Sequence, residues 1–264
     1  MRGVRVEVDS ASYTYADGTD ALHSVGFVLE PGESVGLVGP NGSGKSTLLS
    51  LLNGLLAPTA GQVRVGGTVV QSSTLSEIRR SVGLVFQDPD DQLFMPPVLE
   101  DVAFGPMNLG CAPADAEARA RRALDAVGST DLLSRSPQRL SLGQRSAVAI
   151  AAVLAMDPDV LALDEPAGRL DPRARRTLIS LLRGFPHTRL VASHDLDLVL
   201  DLCDRVLVLD RGRLVGDGPA PELLADGAFL RRHGLELPLG LGPAPGGTAA
   251  PSARNVPTFV WYKN

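Results

Sequence analysis

The sequence lacks any apolar run long enough to cross a bilayer. Its longest, Ala147 to Met156, is about half of the ~20 residues a spanning helix needs, so no direct membrane span is expected. The opening residues, MRGVRVEVDS, carry no apolar signal core. Cysteine is scarce, with only Cys111 and Cys203, far apart. Together these point to an intracellular, reduced protein without a disulfide framework. An excess of positive charge is missing too. The net charge is −5, which weakens any reading built on nucleic acid. Lysine itself is nearly absent: of 25 basic residues only Lys45 and Lys263 are lysines. No internal repeat is visible. What remains is ordinary globular composition, 44% hydrophobic and 21% charged over 264 residues, enough for one large domain or two small ones.

Residues 1 to about 86 alternate short β-rich runs with glycine turns. Strands are expected at Val4–Val8, Val25–Leu29, Ser34–Val38, Gln62–Val65 and Val82–Phe86, with a helix over Lys45–Leu56 stopped by Pro58,. From Asp88 the character turns helical, through Ala114–Val127 and a long apolar-faced helix over Ser141–Met156. β-type runs return at Val160–Leu163, Arg189–Ser193 and Arg205–Leu209, separated by helices Pro172–Arg183 and Asp195–Leu202. Such alternation predicts an α/β fold with a mostly parallel sheet covered on both faces and a helical insertion at about 88–145. From about Leu235 the chain is rich in Pro, Gly and Ala and is expected to be a mobile tail ending in the aromatic stretch Phe259–Tyr262,.

The sharpest motif is Gly39-Pro40-Asn41-Gly42-Ser43-Gly44-Lys45-Ser46, which fits G-x-x-x-x-G-K-[ST] between a strand and a helix,. Glycines let successive N–H groups aim at phosphate oxygens, and the helix N-terminus adds partial positive charge. Lys45 supplies a compact cation for β- and γ-phosphates, and the Ser46 hydroxyl can ligate Mg²⁺. An acidic strand end completes such a site. Val160–Leu163 delivers Asp164 toward the Mg²⁺ shell and Glu165 toward a hydrolytic water,.

With these residues in order, the chain resembles the ATP-binding cassette (ABC) ATPases over roughly residues 4 to 232. Gln87 stands where that family keeps a Mg²⁺-reaching glutamine, and Leu140-Ser141-Leu142-Gly143-Gln144 stands where it has LSGGQ. Leu170-Asp171 looks like the D-loop, His194 like the switch histidine, and Tyr15 like the residue that stacks on adenine. The resemblance implies a P-loop NTPase core with an antiparallel β subdomain and an inserted helical subdomain within residues 1–234. It implies Glu165 and His194 as catalytic residues, and Tyr15, Gly39 to Ser46 and Thr47 as ATP-binding residues. Ser46, Gln87 and Asp164 would be metal ligands, with ATP and Mg²⁺ as the bound species. Ser141, Leu142, Gly143, Gln144 and Asp171 would serve the nucleotide of a second cassette, self or paralogue, because one chain holds one cassette.

The stretch Gln87-Asp88-Pro89-Asp90-Asp91-Gln92-Leu93-Phe94, followed by Glu100 to Gly110, is similar to a narrower group, the ATPases of energy-coupling factor transporters of the cobalt/nickel type. That likeness implies import of a metal ion or vitamin through an integral membrane subunit, with this chain peripheral on the cytoplasmic face. Leu93 to Pro97 would grip a partner's helix, and the three aspartates would cap turns or meet a basic partner. Leu142 in place of glycine, Ala147 in place of arginine and Arg169 beside the D-loop depart from the family pattern. They motivate an alternative, a regulatory or weakly hydrolysing cassette paired with a more active one, or the ATPase of another ABC transporter class. A GTPase reading fails, because no N/T-K-x-D stretch exists. A DNA- or ribosome-directed cassette would show a coiled-coil insertion or a second cassette, and neither is visible.

Overall fold

The computed structural model describes residues 3–168 and 170–241. In chain order the first half contains β1 (Val6–Thr14), β2 (Asp20–Leu29), β3 (Ser34–Val38), α1 (Lys45–Leu52), β4 (Ala60–Val65), β5 (Thr68–Val69), α2 (Leu75–Ser81), β6 (Val82–Val85), α3 (Val98–Asn108) and α4 (Pro113–Ala126). The second half contains α5 (Leu142–Leu154), β7 (Val160–Asp164), α6 (Pro172–Gly184), β8 (Thr188–Ala192), α7 (Leu196–Leu202), β9 (Arg205–Asp210), β10 (Arg213–Pro219), α8 (Ala220–Leu223) and α9 (Gly227–Arg232).

Two sheets form. An antiparallel one has the order β2-β1-β4-β5, and a larger one has the order β10-β9-β3-β8-β7-β6. In the larger sheet every pairing is parallel except β9–β10. Its inner strands follow from their composition. All residues of β3, β7 and β8 are buried, as expected of parallel strands covered on both faces. The antiparallel sheet packs with α1 on one face of the larger sheet, and α6, α7, α8 and α9 cover the other.

The helical stretch has its own core. α5 serves two faces at once: Ile150 and Val153 pack toward the sheet, whereas Val148, Ala149, Ala151 and Ala155 pack against α3 and α4. Alanine at those positions lets the helices approach closely. Residues 235–241 fold back on α7. Leu235 is buried, and the N–H groups of Leu239 and Gly240 donate to the Asp197 carboxylate at 3.0 and 2.9 Å. Residues 242–264, with most of the expected tail and Phe259–Tyr262, lie outside the described residues, as does Arg169.

Several boundaries differ from the sequence expectation. α1 ends at Leu52, four residues before the expected Leu56, because Asn53 caps it and Gly54 turns away at φ +69°,. β1 runs on to Thr14 and β2 begins at Asp20, through register shifts near Ser10 and Ser24, which sit at φ +49° and +48°. β5, α2, β10, α8 and α9 were not anticipated by periodicity.

Candidate functional site

Parallel strands end on one side, so topology alone gathers the loops after β3, β6, β7 and β8 at one edge. The loop after β3 is the glycine turn. Gly39 is obligatory there, since a Cβ would lie 2.1 Å from the Leu209 carbonyl oxygen. Gly44 sits at φ +105°, with a Cβ position 2.7 Å from the Ala21 oxygen,. The Lys45 ammonium is buried and donates to the carbonyls of Gly39 at 2.8 Å and Pro40 at 3.1 Å. Burial lowers its pKa, while Glu165 and Asp164 act in the opposite sense. The Ser43 hydroxyl is buried in the same turn and has no protein partner. An orphaned hydroxyl, a backbone curl with no room for a side chain and a docked cation together fit a phosphate guest.

Asp164 ends β7, nearly buried. Desolvation raises its carboxyl pKa, against a lowering hydrogen bond from Ser46 and the charge of Lys45,. The Ser46 hydroxyl, the Asp164 carboxylate and the Gln87 amide line one cleft of about 490 Å³. This is an all-oxygen donor set of the kind Mg²⁺ takes. Glu165 follows at φ +47°, a left-handed backbone that costs a non-glycine residue on the order of 1 kcal/mol. Its N–H donates to the Ala192 carbonyl at 2.9 Å. The carboxylate accepts from the Ser193 hydroxyl at 3.0 Å and from the His194 N–H at 2.8 Å. The His194 ring Nδ1 lies 2.8 Å from the same oxygen, with the ring itself exposed.

Tyr15 reaches the glycine turn from the antiparallel sheet. Its hydroxyl pairs with the Thr47 hydroxyl at 2.9 Å, and its ring meets Tyr13 edge-on. Thus Tyr15, Asn41 to Thr47, Gln87, Asp164, Glu165 and His194 share one cleft, with Gly39 and Pro40 held to it by Lys45. Ser141, Leu142, Gly143, Gln144 and Asp171 do not join them. Ser141, Gly143, Gln144 and Asp171 line a separate cleft between α5 and α6, and Leu142 is the first residue of α5. Ser141 and Gln144 form a capping box on α5,, and Asp171 caps α6 by accepting from Arg173 and Ala174. Those backbone hydrogen bonds lower the Asp171 pKa.

Two partners of the site were not anticipated. Ser193, buried just past the end of β8, donates to Glu165, and Asp195 caps α7 while pairing with Arg175 of α6 at 2.6 Å. The available signal was position: a hydroxyl one residue past a fully buried strand has nowhere to point but across to the neighbouring strand's end. Two of the three aspartates after Gln87 have side-chain partners within the chain. Asp88 accepts from the Asp90 N–H, and Asp90 pairs with Arg145 of α5 at 2.9 Å.

Comparison with known proteins agrees with this geometry. The profile of the family described as "ABC transporter" matches residues 22–168. A Geobacter sulfurreducens protein that carries the name of an ABC transporter ATP-binding protein is 53% identical over 240 residues, 91% of this chain and 96% of that one. The energy-coupling factor transporter ATP-binding protein EcfA of Methanothermobacter thermautotrophicus is 44% identical over 238 residues, 88% of this chain and 76% of that one. Among solved structures, CbiO1 of Clostridium perfringens, described as part of the ABC transporter complex CbiONQ, superposes with a TM-score of 0.74 at 36% identity, covering 86% of this chain and 93% of that one. Among the described residues no helix is long and apolar enough to cross a membrane. Motif order, sheet topology and these relatives agree, and the chain belongs to the ABC transporter family as an ATP-binding cassette with the α/β fold of these ATPases.

Proposed function

We propose that this chain is the ATP-hydrolysing energy-coupling subunit of a membrane importer for cobalt or nickel ions or a vitamin. It works at the cytoplasmic face with a second cassette, self or paralogue, and an integral membrane subunit. The observation that carries the hydrolytic reading is the convergence of Lys45, Asp164, Glu165 and His194 on one cleft. The importer reading is supported by the names of EcfA and of CbiO1 in its CbiONQ complex.

On ATP binding the Lys45 ammonium exchanges the Gly39 and Pro40 carbonyls for the β- and γ-phosphates, giving charged acceptors to a buried cation whose hydrogen bonds otherwise reach only neutral ones,. The Ser43 hydroxyl and the amides that open α1 donate to the same oxygens. Ser46, Asp164 and Gln87 would hold Mg²⁺, whose bound charge offsets that of the phosphates. Glu165 orients the attacking water and draws its proton, and His194 holds the γ-phosphate. Ser141 to Gln144 and Asp171 face the nucleotide of the opposite cassette when the pair closes. Leu142 in place of a small residue favours a second reading, in which that opposite site turns over slowly. Inactivating the glutamate of each cassette of a mixed pair in turn decides it, and equal losses would refute asymmetry.

Magnesium dependence carries a pH signature. Ligation needs the ionised carboxylate, and burial raises the Asp164 pKa from its ordinary value. Magnesium-assisted ATP affinity should therefore fade, as pH drops, at a higher pH than a surface aspartate would give. Asp164→Asn should flatten that dependence, and titrations of Mg²⁺ across a pH series read it. An unaltered profile in the variant would remove Asp164 from the metal's shell.

The membrane partner has a fitting seat. Phe94, Phe104 and Met107 are 57%, 38% and 49% exposed, and the two phenylalanines meet edge-to-face with centroids 4.9 Å apart. Phe94 and Phe104 line a groove of about 570 Å³ beside the Gln87 segment. Leu93, by contrast, is buried in the helical core. The buried Asp101 carboxylate accepts the Phe94 N–H at 3.2 Å and fixes the turn. An exposed aromatic pair of this kind suits an apolar helix face. Phe94→Ala should leave ATP affinity within about twofold, yet reduce recovery of the membrane subunit in mild detergent by about tenfold or more. Full recovery would place the contact elsewhere. The small molecule carried by the recovered complex tests the cargo.

A further inference from the structure

The segment Asp88 to Gln92 follows Gln87, yet the catalytic cleft uses none of it. Gln92 is half-buried between two elements. Its Oε1 accepts the Phe86 N–H at 3.2 Å, and its Nε2 donates to the Ala149 carbonyl of α5 at 2.7 Å. Phe86 lies just past the end of β6, so the side chain replaces a missing strand partner. A backbone N–H faces one end of the amide and a carbonyl the other, so the network itself fixes which atom is oxygen. Nearby, Asp90 pairs with Arg145 Nε at 2.9 Å, and Arg145 Nη1 donates back to the Leu140 carbonyl at 2.9 Å, at the entry to the Ser141–Gln144 turn.

We infer that Gln92 is a positioning residue that latches the Gln87 segment to α5, so that the Ser141–Gln144 turn is carried as one body with the end of β6. The consequence for pairing rests on the proposed function, in which that turn meets the opposite nucleotide. The contacts themselves stand without it. Gln92 dominates over the ion pair. The Asp90 side chain is 65% exposed, and pairs open to water contribute little, whereas the Gln92 bonds are sheltered and join backbone to backbone. Any displacement of the Gln87 segment by a bound partner is thereby delivered to the N-terminus of α5.

Hydrogen exchange of the full chain without nucleotide tests the latch directly. Gln92→Glu keeps the acceptor for Phe86 but turns a carboxylate oxygen toward the Ala149 carbonyl, and Gln92→Met keeps length without either bond. Both should raise exchange at the amides of residues 145–149 by about tenfold, whereas Asp90→Asn should change it less than twofold. Unchanged exchange in both Gln92 variants would overturn the latch, and an equal rise in Asp90→Asn would overturn its assignment to Gln92. The second readout is Mg-ATP-driven association in a Glu165→Gln background, with the paralogue added where the chain does not pair with itself. Gln92→Glu should weaken association about tenfold with ATP affinity within twofold. Raised exchange with unchanged association, or a parallel loss of ATP affinity, would overturn the coupling. A Glu165→Gln parent that never associates with ATP sinks the proposed function instead, and the exchange result still decides the latch.

Discussion

Replacing Glu165 with glutamine is expected to lower ATP turnover by about 10²-fold or more while leaving ATP binding intact and the paired cassettes trapped closed. A positioned general base contributes about 10²–10⁴ to rate, and the substitution removes basicity with little else. The two carboxylate oxygens accept from the Ser193 hydroxyl and the His194 N–H. A carboxamide keeps the oxygen that His194 needs, and its NH₂ can be received by Ser193, whose hydroxyl accepts as readily as it donates. The left-handed backbone at this position and its bond to Ala192 do not depend on the side-chain charge. Steady-state hydrolysis beside sedimentation in ATP measures both halves of the expectation. Unchanged turnover would remove Glu165 from its assigned part.

The largest effect on stability is expected away from the cleft. Arg189, on β8, is buried with no carboxylate partner among its hydrogen bonds. Its guanidinium donates to the Ser34 hydroxyl at 3.1 Å, to the Phe185 carbonyl at 2.7 Å and to the Leu182 carbonyl. Ser34 in turn donates to the Leu202 carbonyl at 2.6 Å. One cation and one hydroxyl thus close the C-terminal ends of α6 and α7, where orphan carbonyls and the helix dipole favour positive charge. Burial lowers the Arg189 pKa, yet a guanidinium stays protonated. Arg189→Met fills the space but leaves these acceptors buried and unpaired, at on the order of 1–3 kcal/mol each. A loss of about 3 kcal/mol in denaturant unfolding is expected, a large share of a typical ~5–15 kcal/mol. Arg189→Lys should recover part of it. Stability within about 0.5 kcal/mol of the parent would mean that water replaces the guanidinium.

Legibility of the fold followed burial. β3 was read to the residue because SVGLV is apolar on both faces, and β7 and β9 were read to within one residue for the same reason. α2 escaped notice because Ile78 alone among its residues is buried, which leaves no stripe for periodicity to find. β10, RLVGDGP, is a strand by virtue of pairing with β9 and carries two glycines and a proline that argue against it locally. The stretch Asp9 to Thr14 lies beyond the expected strand Val4–Val8, yet it stays in the sheet through bulges, a tertiary outcome that no local pattern contains.

The candidate site was legible where backbone chemistry dictates residue type, as at Gly39, Gly44 and Lys45. It was less so where one residue serves two ends. Ser141, Gln144 and Asp171 stand out by resemblance to nucleotide-facing positions, but in this chain their side chains also finish helices. Ser193 and Gln92 carry ordinary side chains whose importance comes from what the topology sets beside them, and that information lies outside any window of sequence.

The scarcity of lysine gives the molecule a natural chemical reporter. An amine-selective reagent has two side-chain targets in the entire chain, Lys45 and Lys263, because guanidines do not react. The Lys45 amine rests on two carbonyls inside the cleft, so its labelling rate registers how often it lets go. Peptide mapping after brief acylation would then follow occupancy of the cleft without any engineered label.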